Sequence, residues 1–395
     1  MFTENHARGG GNRYMIDLIN ALRSDYDEVC IASNAGGIFP EDVRRLSRPV
    51  EFRKVNLTTR ASISCSFHRL PVVVRRVLFF PLVILKPLFL LYNIALLAKL
   101  LRNVKPTHVL SCNGGYPAAQ ACLSMVFAAK LSSVPVVLSI VSMPTRRRAI
   151  MWPYEKLIDK LLWSSADVVV VNALAVAEAL RNLREAVPEK IKLVYNGLDD
   201  RQPGIAAIKD DGKFTIGCIA RMDAAKGVLF LFEAFSYLAS RHPELELVLA
   251  GQGDASDEIA RRTRSYGLQN QVRLLGHYDG DVCALLETFD VFVLPSLWEG
   301  FPYSIVEALR SACTIVATAV GGVPEAVRDG VDGLLIEPGS TEQIIEALEK
   351  LMANREMRLT LARNGRMRFE RELTLPVMHM RVRETFAALP RGLSD

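Results

Sequence analysis

Paired cysteines are missing from this chain. Its seven cysteines, Cys30, Cys65, Cys112, Cys122, Cys218, Cys283 and Cys313, form no C-x-x-C, and their number is odd. That pattern excludes a disulfide-stapled scaffold and a thiolate zinc site, and it fits a reducing compartment. No G-x-G-x-x-G follows a strand-like run, which disfavours a nicotinamide-dependent Rossmann enzyme. The polar, Gly-rich N-terminus has no signal-peptide character. Acids are scarce over residues 44–105, where 13 Lys and Arg stand against Glu51 alone.

That basic block calls for an anionic partner. It is also apolar, through "LPVVVRRVLFFPLVILKPLFLLYNIALLAKLL", Leu70 to Leu101. Its longest charge-free stretch, Pro87 to Ala98, has twelve residues, whereas a spanning helix needs about 20. Val77 to Ala98 is long enough but is interrupted by Pro81, Lys86 and Pro87. A nucleic-acid patch interleaves polar and aromatic residues, and this block is too apolar for that. The expected partner through 44–105 is therefore an anionic membrane surface, with the basic groups among the headgroups, and no nucleic acid.

What is present is alternation. Short β-branched runs such as "PVVLSIV", "ADVVVVN", "FTIGCIA", "LELVLAG" and "DVFVLPS" are separated by stretches with helical spacing, such as "VLFLFEAFSYLASRH". Near-continuous apolar strands alternating with helices imply parallel sheets covered on both faces. The pattern breaks at "NGLDDRQPGIAAIKDDGK" and restarts at Lys213. The reading is α/β, with two Rossmann-like, doubly wound parallel-sheet domains and an interdomain cleft. The boundaries are 1–195, a linker at 196–212, 213–374, and a terminal helix at 375–395 expected to cross back to the first domain.

One stretch carries chemistry. In "LWEGFPYSIVEAL" a strand ends just before Glu299 and Gly300, and Pro302 suits the first turn of a helix over Tyr303 to Arg310. Helix-start N–H groups at Tyr303 and Ser304, with Gly300 letting a ligand approach, make an anion site. Glu307, about one turn into the helix, would accept from hydroxyls. In "IGCIARMDAAKGV" the cations Arg221 and Lys226 lie between a strand and a helix, where they would neutralise charge building on a diphosphate leaving group. A phosphate site flanked by hydroxyl-binding carboxylates describes a sugar nucleotide. "DGD", Asp279 to Asp281, superficially looks like a metal motif, but Asp281 reads better as a helix N-cap.

On "GCIARMDAAKG", "LVLAGQGD", "DVFVLPSLWEGFPYSIVEAL" and "GGVPEAVRDGVDGLL", the chain resembles the retaining GT-B glycosyltransferases, specifically glycosyltransferase family 4. The likeness is strong over 213–340, moderate over 106–200 and weak over 40–105. "GGGNRYMIDLINAL" is similar to the family's first glycine-rich loop. The resemblance implies that Arg221 and Lys226 hold the donor diphosphate and that Glu299 faces the transferred sugar. Glu307 would accept from the ribose hydroxyls, and the backbone from Phe301 through Tyr303 to Ser304 would line sugar and phosphate. Gly9 and Gly10 would belong to the loop closing over the donor. His277 is read either as near the nucleobase or as an ordinary loop histidine. Arg221, Lys226 and Glu299 are the catalytic candidates. No cofactor or metal is implied; the co-substrate is a UDP- or GDP-sugar. The expected acceptor is a lipid-linked or cell-surface glycan, in polysaccharide or lipopolysaccharide synthesis, at the cytoplasmic face of the inner membrane.

The chain departs from the family's pattern in two places. "MFTENHAR" is short and polar where relatives carry a first strand, so either the start lies further upstream or the N-terminal sheet lacks its central strand. Val141 stands where many relatives have a histidine, and valine cannot donate to a sugar oxygen. These departures motivate two alternatives: a nucleotide-sugar-binding protein without transfer activity, and a GT-B sugar-nucleotide epimerase.

Overall fold

The structure, a computed structural model, describes residues 1–4, 10–34, 50–59, 63, 85–202 and 212–389. The expectations for Gly9, for much of the basic block and for 203–211 of the linker lie outside these residues. The chain forms two compact units, one of Met1–Val194 with His379–Asp395, the other of Tyr195–Met378.

In the first unit the strands are β1 (Phe2–Thr3), β2 (Cys30–Ser33), β3 (Glu51–Lys54), β4 (Val109–Asn113), β5 (Val136–Ile140), β6 (Val168–Val171) and β7 (Ile191–Leu193). The helices are α1 (Gly10–Leu22), α2 (Lys86–Val104), α3 (Gln120–Leu131), α4 (Trp152–Ser165) and α5 (Leu174–Arg184). The sheet order is β3-β2-β1-β4-β5-β6-β7, and the pairs are parallel. Every residue of β5 and β6 is buried, as expected for strands covered on both faces.

The expected gap at the centre of this sheet is corrected. Phe2 and Thr3 fill it, pairing with Ala32 and Ser33 on one side and with Ser111 and Cys112 on the other. Two residues suffice because β2 and β4 satisfy both of their edges. So short a segment shows no alternation, so it reads as irregular chain.

The second unit contains β8 (Phe214–Ile219), β9 (Leu245–Ala250), β10 (Val272–Gly276), β11 (Val291–Leu294), β12 (Thr314–Thr318) and β13 (Leu334–Ile336). Its helices are α6 (Val228–Ala239), α7 (Ser256–Ser265), α8 (Val282–Leu286), α9 (Tyr303–Arg310), α10 (Val323–Ala326), α11 (Thr341–Ala353) and α12 (Arg355–Glu372), and α13 (Leu375–Ala387) begins in it and ends in the first unit. The strands are parallel in the order β10-β9-β8-β11-β12-β13. Phe232 and Phe235 of α6 are fully buried in the core with Ile216, Leu247 and Val293 of the sheet.

Residues 196–198, read as the start of a linker, are packed inside the second unit. The Leu198 N–H donates to Leu373 O at 3.0 Å, and Leu198 O accepts from Leu375 N–H at 2.7 Å. The division between the units falls at Met378, within α13. Further along this helix, Arg383 Nε donates to Ala21 O at the end of α1 at 3.0 Å, within the first unit. The thiols of Cys112, Cys122, Cys218, Cys283 and Cys313 are free and buried.

Candidate functional site

The strand order of the second sheet decides where its ligand chemistry can lie. β9 and β10 extend to one side of β8, and β11, β12 and β13 to the other. The crossovers after β8 and β11 therefore diverge, leaving an open crevice at the carboxyl ends of these two strands. Arg221 and Lys226 follow β8, and Glu299 follows β11. Sequence spacing and topology thus put these residues at the switch point.

The loops there are tied by backbone bonds. Leu297 N–H donates to Ala225 O at 2.8 Å, Met222 N–H to Gln252 O at 3.0 Å, and Gly322 N–H to Gly300 O at 2.7 Å. Two glycines permit the approach. Gly227 has φ +62°, and a Cβ there would stand 2.0 Å from Pro295 O. Gly321 has φ +52°, and a Cβ would stand 1.9 Å from Glu299 O. Both the left-handed backbone and the contact require glycine.

Lys226 Nζ donates to Glu299 Oε1 at 2.5 Å. Ser296 Oγ donates to the same oxygen at 2.8 Å. Glu299 is buried, so its carboxylate needs these partners to offset desolvation. Ser296 O in turn accepts from Thr318 Oγ1 at the end of β12. Ser296 and Thr318 were missed in the sequence; the only signal was their position at strand ends.

Arg221 is not drawn into this pair. Its side chain is 69% exposed and meets Asp223 Oδ2 at 3.1 Å. Asp223 also accepts from Lys226 N–H at 3.2 Å, capping the short turn that carries the lysine. α9 spans the expected residues, with Pro302 at its N-cap in extended conformation, one place outside the first turn. Gly300 and Phe301 are buried, Tyr303 and Ser304 half-buried, and Glu307 is buried on α9. Phe301 stacks on Tyr195, with ring centroids 4.8 Å apart, and its carbonyl accepts from Asn196 Nδ2 at 2.6 Å. Tyr195 Oη donates to Glu325 at 3.1 Å; burial, then the neighbouring Glu325 charge, push its phenol up to about 12.

His277 follows the edge strand β10, two strands from β8. It is 56% exposed and meets Asp279 at 3.1 Å. Asp281 caps α8 as expected, accepting from Cys283 N–H at 3.0 Å, and it also binds Arg201. Among the described residues, no group of three or more His, Cys, Asp or Glu is placed to hold a metal ion. In the first unit, Gly10 opens α1 and is exposed. Val141 follows β5, and its carbonyl accepts from Asn172 Nδ2 at 3.1 Å.

Two family models together match most of the chain. Glycosyltransferase Family 4 matches residues 8–202, and Glycosyl transferases group 1 matches residues 205–368. The chain belongs to the family 4 glycosyltransferases. It is 25% identical over 218 residues to an uncharacterized glycosyltransferase of Methanocaldococcus jannaschii, covering 52% of this chain and 55% of that protein. It is 27% identical over 207 residues to N-acetylgalactosamine-N,N'-diacetylbacillosaminyl-diphospho-undecaprenol 4-alpha-N-acetylgalactosaminyltransferase of Campylobacter jejuni, covering 51% and 55%. The chain spans about half the length of the curated relatives it matches. Anabaena HepE, solved in complex with UDP, shares the fold with a TM-score of 0.78 at 20% identity, over 98% of this chain and 99% of that one. The fold is GT-B.

Proposed function

We propose that the chain is a metal-independent, retaining glycosyltransferase that moves a sugar from a UDP- or GDP-sugar to a membrane-linked glycan. The observation carrying this reading is the ion pair at the switch point of the second sheet between the half-buried Lys226 and the buried Glu299. A half-buried lysine held in place by a carboxylate is positioned for an anion, and a donor diphosphate would recruit it together with the exposed Arg221. The dipole of α9 adds positive potential at the same loop. Glu299 then faces the sugar, and Glu307 accepts from ribose hydroxyls. Gly300, Phe301, Tyr303 and Ser304 would line the donor, and His277 would approach the base.

The transfer breaks the bond between the anomeric carbon and the diphosphate oxygen. The acceptor hydroxyl forms the new bond from the same face and gives its proton to the departing phosphate. Catalysis rests on positioning and charge stabilisation. Val141 offers no polar side chain to the sugar, so the burden falls on Lys226, Arg221 and Glu299.

A membrane-linked acceptor is supported by the Campylobacter jejuni relative, whose name specifies a diphospho-undecaprenol substrate. It is also supported by α2, long and apolar enough to cross a membrane by length and composition, and mostly not buried. Leu91 on this helix is 63% exposed. A helix lying in the anionic inner surface, with the basic residues of 44–105 among headgroups, fits both. The protein would then act peripherally at the cytoplasmic face.

The test is nucleoside diphosphate release from a panel of UDP- and GDP-sugars, with and without bacterial lipid extract. Release that requires one donor and the extract supports transfer. Release without an acceptor points to hydrolysis. Conversion of the sugar nucleotide without release supports the epimerase. Nucleotide binding with no turnover supports the non-catalytic protein.

A further inference from the structure

The corner formed by residues 146–165 sorts its charges by direction. α4 carries two acids, Glu155 and Asp159, and both are buried. Asp159 accepts from Tyr116 Oη and from Arg147 Nε at 2.7 Å, and Glu155 accepts from Arg148 Nε at 2.8 Å and from Arg184 Nη1 at 3.0 Å. The lysines of the helix, Lys156 and Lys160, are on the exposed side with Arg146 and Arg148. Large apolar groups share that side. Ile150 is 83% exposed and Leu157 55%, and Trp152 and Leu161 are also exposed.

The spacing explains this sorting. Residues 153, 156, 157, 160, 161 and 164 recur at helical intervals and are all exposed, whereas 155, 159, 162 and 163 are buried. A solvated face would carry acids as well as bases, with few large apolar groups. An acid at the rim, Glu185 at the end of α5, lies 3.8 Å from Lys156 and 3.0 Å from Arg147. Lys156 also sits over the Trp152 ring at 5.0 Å, so cation and indole present one joint surface. The buried ion pairs beneath hold the corner rigid, because each buried charge has a partner on another segment.

We propose that this outward face of α4, with Ile150, is a bilayer-contact surface for anionic lipid, separate from the 44–105 block. Trp152 would take the headgroup level, Ile150, Leu157 and Leu161 the acyl boundary, and Arg146, Lys156 and Lys160 the lipid phosphates. Charge complementarity decides the occupant. A face of cations and apolar side chains, with its helix's own acids turned inward, matches an anionic bilayer.

The test uses the full chain and sedimentation with vesicles of phosphatidylcholine, alone or mixed in equal parts with phosphatidylglycerol. The wild type should bind the mixed vesicles in a salt-sensitive way. Lys156→Gln with Lys160→Gln should weaken that binding by about thirtyfold. Ile150→Ser with Leu157→Ser should remove most of it without lowering the melting temperature, because both side chains are exposed. Leu88→Ser with Leu91→Ser on α2 serves as the control and should leave the α4-dependent part in place. Three results would overturn the proposal: wild-type binding that ignores phosphatidylglycerol, α4 variants that bind as wild type, and α4 variants that change only the oligomeric state. Nucleoside diphosphate release from the same samples reports on transfer separately, so failure of the lipid contact and failure of the transfer reading are distinguishable.

Discussion

Lys226 and Glu299 are 73 residues apart in the chain, and their side chains meet at 2.5 Å. The contact exists because β8 and β11 are neighbours, so the loops leaving them share one strand end. The pair's part in stability and its proposed part in chemistry can be separated.

Lys226→Met should leave the buried carboxylate of Glu299 with the Ser296 hydroxyl as its remaining partner among the described residues. The expected cost is about 3 kcal/mol, the low end for breaking a buried pair, because Lys226 keeps some exposure. Nucleoside diphosphate release should fall about 100- to 1,000-fold, the usual effect of losing one group that stabilises developing charge. Thermal melting and turnover on the same sample check both figures. Turnover that falls only in proportion to the unfolded fraction would leave Lys226 a structural residue.

Glu307→Ala should weaken donor binding by about tenfold to a hundredfold, from loss of charge-assisted hydrogen bonds worth roughly 1.5–3 kcal/mol. Calorimetric titration with UDP and GDP measures it. Affinity equal to wild type would remove the ribose assignment.

Gly321→Ala should destabilise by at least about 2 kcal/mol, since φ is +52° and the new methyl would press on Glu299 O. Turnover per folded molecule should fall as well, because relief of the clash moves the loop that carries Glu299. A neutral melting temperature would contradict the geometry.

Acid should destabilise the second unit through Asp332. Its side chain is fully buried and binds Arg328 through both oxygens at 2.6 Å. Burial alone would raise its pKa, but the hydrogen bonds and charge of Arg328 outweigh that and hold it below the ordinary carboxylate value. A depressed folded pKa means stability that is complete above the unfolded value, about 3.9, and lost as pH falls through the folded one. Melting temperature followed downward from about pH 5 should drop more steeply in wild type than in Asp332→Asn. Parallel curves would refute the assignment.

The sequence made the long strands legible because they are buried on both faces. "FTIGCI" and "VFVL" are almost wholly apolar, and their length is enough for the pattern to register. Phe2 and Thr3 carry no such pattern, and their strand exists only through β2 and β4. The site loops were readable for a similar reason: glycine, proline and charge stand out directly after apolar strands. The partners of those charges were not readable. Arg221 turning to Asp223, Lys226 to Glu299, and Ser296 bracing Glu299 depend on loop paths that no local spacing encodes. Packing of 196–198 against 373–375 was hidden for the same reason, since Asp, Gly and Pro look alike in a free linker and in a tightly held turn.

The buried thiols give the molecule an internal clock for its own opening. Cys218 lies in β8, the strand that leads to Lys226, and burial pushes its thiol up to about 12. Folded, it is shielded and almost wholly protonated, so an alkylating reagent can reach a reactive thiolate there only when the strand comes free. The rate at which Cys218 is alkylated therefore times the exposure of the strand that leads to Lys226, with no label added to the chain.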